Sequence, residues 1–71
     1  MNSHHVKAEY VREKLRQLAA DVNDLNRHEN TGARPTSQTE LQAYSLAELM
    51  AWSRDVARRR IAAGLPENVK V

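Results

Sequence analysis

Residues 44–66, YSLAELMAWSRDVARRRIAAGLP, decide the architecture of this chain. They read either as one amphipathic helix or as two short helices broken by a tight turn near Ala51. Ser45-Leu-Ala-Glu48 fits a capping box, in which serine and glutamate each satisfy the other's backbone amide, and Tyr44 and Leu49 can staple the entry. From there Leu46, Leu49, Met50, Val56, Ala57 and Ile61 share one broad face, with Ser53 near its middle and Trp52 at its margin. Gly64-Leu-Pro66 closes the segment with a left-handed stop and a residue that cannot continue a helix. Ser37-Gln-Thr-Glu40 is an earlier capping box. The second helical segment therefore covers about residues 37–64, either unbroken or as a short helix to Tyr44 and a longer one from Ser45.

Upstream, Ala8, Val11, Leu15, Leu18, Val22 and Leu25 recur at alternating spacings of three and four, which makes a heptad seam of the coiled-coil kind. The faces between are charged or amide: Arg12, Glu13, Arg16, Gln17, Asp21, Asn23 and Asp24. This helix is expected over about residues 3–28, capped by Ser3 and stopped by Gly32, with a connector over about 29–36 rich in helix-breaking residues. Residues 65–71 read as a loose tail. The fold class is all-α: a helical hairpin of two long helices, the second with or without a short helix before it.

A chain of 71 residues makes one domain with a marginal core. It has no cysteine, so neither a disulfide nor a thiolate metal site can supplement that core. Fixing each residue costs ~1–2 kcal/mol of backbone entropy, and each stripe side chain returns ~1.5–3 kcal/mol on full burial. A lone pair of helices covers its stripes on one side only, so the hairpin is expected to dimerise into a four-helix assembly. In that assembly Ala8, Val11, Leu15, Leu18, Val22, Leu25, Leu46, Leu49 and Val56 form the dimer and core seam.

Several functions are disfavoured. His4 and His5 are adjacent and point apart on a helix, and His28 is remote, so no metal or other cofactor is expected. The acids are scattered among bases, no nucleophile has a histidine and acid partner, and no glycine-rich phosphate loop exists, so neither catalysis nor a small-molecule substrate is expected. Apolar runs fall far short of the ~20 residues that span a bilayer, and the opening Met-Asn-Ser-His-His-Val-Lys is unlike a secretory signal. Residues 44–66 could lie on a membrane surface, but the first helix offers their apolar face a simpler partner. A soluble, cytoplasmic protein is expected.

Net charge is only +2, yet Arg54, Arg58, Arg59 and Arg60 crowd one stretch with Asp55 as the only acid among them. Leu46-Ala-Glu-Leu-Met-Ala-Trp-Ser-Arg54 resembles the first helix and turn of a helix-turn-helix, and Ile61-Ala-Ala-Gly-Leu-Pro66 is similar to the end of the recognition helix of excisionase-like proteins. The resemblance covers about a third of the chain. It implies a turn at Ala51, a cap at Ser53, a core position at Arg60, and DNA contacts from Arg54, Arg58 and Arg59.

The leading expectation is different: a non-catalytic regulatory or adaptor protein, such as an inhibitor or modulator, that binds another protein as a helical homodimer. Trp, Tyr and Arg are enriched at such interfaces. The partner-binding residues are therefore expected to be Tyr44, Met50, Trp52 and Arg58, with Tyr10 beside them. Binding of DNA through Arg54, Arg58 and Arg59 is the alternative.

Overall fold

A computed structural model describes residues 3–71, with side chains from Glu9 onward; Ala8, Ser3, His4 and His5, singled out above, lie outside the described side chains. The fold is all-α, with α1 over Ser3–Glu29, α2 over Gln38–Leu41 and α3 over Leu46–Ala62. The second helical segment is thus broken, and the break falls before Ser45 rather than at Ala51. Both serines cap as their sequence implies. Ser37 Oγ accepts from the Glu40 amide at 3.1 Å, and at α3 the full reciprocal box forms, with Glu48 N–H donating to Ser45 Oγ at 3.1 Å and Ser45 N–H to Glu48 Oε1 at 2.9 Å.

Both long helices end in Schellman motifs. Asn30, at φ 54°, takes the left-handed position after α1, with Thr31 N–H donating to the Asn26 carbonyl and Asn30 N–H to that of Arg27. Asparagine tolerates this conformation, so the stop comes ahead of Gly32, where it was expected. Gly64, at φ 81°, does the same after α3, with Leu65 N–H donating to the Arg60 carbonyl at 2.9 Å.

The long helices are not a hairpin. Leu46, Leu49 and Met50 at the start of α3 share a groove with Tyr10, Val11 and Lys14 in the first half of α1. Arg59 and Arg60 at its end pair with Glu29 and Asp24 near the end of α1. The two therefore run in the same direction, which requires residues 30–45 to travel back along α1. Those residues could reach ~50 Å if extended, ample for the ~28 Å of helix between Tyr10 and Glu29. Two contacts guide the return. Asn23 Oδ1 accepts from Thr36 N–H at 2.8 Å while its Nδ2 donates to the Thr36 carbonyl at 3.0 Å, and Leu41 of α2 is wholly buried.

The core joins Leu15, Leu18, Ala19, Val22 and Leu25 of α1 to Leu41, Leu49 and Val56, with Val11, Trp52 and Leu65 packed against it. From Leu15 to Leu25 the heptad seam is therefore buried within one chain, and Val11 is partly buried against it. Leu46, expected in the dimer and core seam, is 48% exposed in the single chain and so lies outside its core; Ile61, expected on the same face, is 58% exposed. The buried positions of α3 are Leu49, Val56 and Arg60, a stripe narrower than the apolar face.

Arg60 is 1% exposed. Its Nη1 donates to Asp24 Oδ2 at 2.8 Å and to the Asp21 carbonyl at 3.3 Å, and its Nε donates to the Pro66 carbonyl at 3.0 Å. Beside it Asp21, 3% exposed, accepts from Val69 N–H and Asn68 Nδ2, both at 2.7 Å, and from Gln17 Nε2 at 2.9 Å. Gln17 Nε2 also donates to the Val69 carbonyl at 2.7 Å. The tail, expected to be loose, is thus tied across α1 by side chains whose polar faces give no sign of it in the periodicity. Replacing Arg60 with Met should cost roughly 3 kcal/mol by denaturant unfolding, because two backbone carbonyls and a carboxylate lose their donor. Asp21→Ala should speed exchange of the Val69 amide by NMR while the Leu25 amide stays protected.

Candidate functional site

The capping box sets where α3 starts, and the wheel of α3 then sorts its apolar residues into two stripes. Leu49, Val56 and Arg60 face the core; Leu46, Met50, Ala57 and Ile61, displaced around the helix, flank it. On α1 the corresponding flank is Tyr10, Lys14 and Gln17. Between these flanks lies an open groove. Its apolar part, about 180 Å³, has a floor of Leu15, Leu18 and Leu49 and walls that include Tyr10, Leu46 and Met50. It continues past Ser53 and Arg54 into a wider polar part of about 620 Å³ edged by Gln17, Arg58, Ile61, Glu67 and Asn68. Tyr10 is 55% exposed and Met50 49%.

The expected partner-binding residues are split by this geometry. Met50 and Arg58 line the groove, whereas Trp52 does not. Met50 and Trp52 stand about 160° apart around the helix. Trp52 is half-buried against the core, and the Tyr44 ring meets it edge-on with centroids 5.5 Å apart. Tyr44 is thereby held back over α3 as a cover for the tryptophan. Tyr10, expected beside these residues, lines the groove, and so does Leu46, which was expected in the dimer and core seam.

The helix runs unbroken through Ala51, Trp52 and Ser53, so the expected turn is not formed and Ser53 is a half-buried residue within α3 instead of a cap. Alanine is the best helix former and nothing at that position forces a break. Of the arginines assigned to DNA, Arg59 pairs with Glu29 at 3.0 Å. Arg54 and Arg58 are exposed and make no ion pair among the described residues. Lys14 also lacks one and sits with Nζ 5.4 Å from the Tyr10 ring centroid.

His28, the described histidine, is exposed near the end of α1, away from the groove. No group of three or more His, Asp or Glu is placed to hold a metal ion among the described residues, and no helix there is long and apolar enough to cross a membrane. The chain matches no known family model, no characterised protein and no solved structure.

Two carboxylates are held below their ordinary range. Asp24 is lowered from 3.8 by its hydrogen bond from Arg60, against a smaller opposing effect of burial. Glu48 is lowered from 4.5 by the Ser45 amide it caps. A carboxylate whose folded value is depressed contributes stability above its unfolded value and loses it as pH falls through the folded one. Stability should therefore be flat near neutral pH and decline as pH falls below about 4. In Asp24→Asn, thermal unfolding across that window should show a shallower slope.

Proposed function

We propose that this chain is a soluble, cytoplasmic, non-catalytic protein-binding module, an adaptor or modulator of another factor, whose contact surface is the groove between α1 and α3. The observation that carries the reading is the second apolar stripe. Leu46, Met50 and Ile61 are half-exposed along one side of a helix and face Tyr10 across an open channel. A grouped apolar surface with a charged edge is the usual mark of a protein interface, and a small domain leaves such a surface uncovered only at a cost in solubility. A homodimer would close the same face, since the seam from Leu15 to Leu25 is already occupied by α2 and α3.

Met50→Asp places a charge on this stripe without touching the buried core. It should abolish capture of a partner from the native cell, or dissociate a dimer by sedimentation, while the helical circular dichroism is unchanged. Capture and assembly that survive both Met50→Asp and Leu46→Asp would overturn the assignment.

A second reading, in which duplex DNA is held by Arg54 and Arg58, draws on the absence of ion pairs at those two residues among the described ones. It expects binding that weakens steeply with salt, and a salt slope reduced by about two when both become Ala, as measured by fluorescence anisotropy. A slope unchanged in the double variant counts against it.

A further inference from the structure

Resting on the protein-binding reading above, we infer that the groove between α1 and α3 seats an amphipathic helix of a partner protein whose apolar stripe is edged by acidic residues. Shape argues for a helix. Both walls are parallel helices, and the α3 wall presents Leu46, Met50, Ala57 and Ile61 at helical spacing. From Leu46 to Ile61 the wall is ~22 Å long, the length of a partner helix of about 15 residues. A third helix laid there buries both flanks at once, as a chain with only one layer of helices over α1 otherwise cannot.

Charge argues for acids. Arg16, Arg27, Arg34, Arg59 and Arg60 are each paired with a carboxylate of the same chain. Of the five other described lysines and arginines, Lys14, Arg54 and Arg58 line the groove, while Arg12 and Lys70 lie outside it. Of the acids on its walls, Glu13 is committed to Arg16 at 2.8 Å, leaving Glu67 at the far end. A partner that covered Leu46 and Met50 with apolar groups alone would partly desolvate these cations without compensation. Carboxylates along its edge would pair with them and hasten encounter. A second copy of this chain fits less well. A two-fold contact sets the same patch against itself, which brings the Arg54 and Arg58 pairs of both copies into one interface. Duplex DNA would satisfy the arginines and leave the apolar stripe uncovered.

The test is selection of a displayed library of amphipathic helices, with randomised residues flanking a fixed leucine stripe, against the whole protein, with Met50→Asp as the counter-selection target. Binders that depend on Met50 should be enriched in Asp and Glu along one edge. Synthesised and titrated by Trp52-independent anisotropy, they should bind about tenfold more weakly to the Arg54→Glu, Arg58→Glu double variant and should lose affinity with salt. Their amide shifts should fall at Tyr10, Met50 and Arg54. Met50-dependent binders with neutral or basic edges would overturn the acidic partner and leave the protein-binding groove standing. Failure to recover any Met50-dependent binder would overturn both. A wild-type dimer dissociated by Met50→Asp, with no binders recovered, would assign the groove to a second copy instead.

Discussion

The guanidinium of Arg60 is the constraint on which this fold turns. An arginine taken almost wholly out of water costs several kcal/mol unless its donors are met, and here α1 supplies a carboxylate and a carbonyl while the chain beyond α3 supplies another carbonyl. Those partners can be reached only if the end of α3 lies beside Asp21 and Asp24. The same contact therefore fixes the direction of α3, its height along α1 and the path of the tail. Asp21 completes the tie by accepting from Val69 and Asn68. A core of eight small and aliphatic residues is non-directional and could tolerate other alignments; the directional polar contacts select one.

With α3 placed in that direction, the connector has to return along α1, and α2 anchors that exposed return through Leu41. Leu41 is wholly buried in the core, and Asn23 holds Thr36 at both backbone groups. The heptad seam of α1 is thereby shared between two elements of its own chain. What remains uncovered is the flank: Tyr10 on one wall, Leu46, Met50 and Ile61 on the other. The proposed contact surface is thus what is left of a broad amphipathic face after a narrow stripe has been buried, and its cationic edge is Lys14, Arg54 and Arg58, three of the described basic side chains that intramolecular pairing left over.

Much of the local structure was legible in the residues. The seam of α1, the serine cap at Ser37, the full capping box at Ser45, and the stop at Gly64 follow from periodicity and from the hydrogen-bonding needs of helix ends, which act within a few residues. Arg60 was legible in part. It falls at helical spacing from Leu49 and Val56, so either the stripe ends before it or the charge is buried with partners. Asp21 and Asp24 read only as part of the polar faces of α1, and nothing local chooses for them between solvent and Arg60. The groove was not legible for a related reason: a face of Leu46, Leu49, Met50, Val56 and Ile61 does not reveal which of its residues will be central.

By itself, the sequence determined that this is an all-α chain, that a capping box at Ser45 and a stop at Gly64 can bound a helix, and that α1 buries its stripe from Leu15 to Leu25, because those outcomes depend on contacts between near neighbours. Only the tertiary structure decided that the long helices are parallel, that the tail is bound, that Trp52 is covered by Tyr44, and that Leu46, Met50 and Ile61 face outward. These depend on which distant groups satisfy one buried guanidinium, and a burial requirement written at position 60 does not name its partner thirty-six residues away.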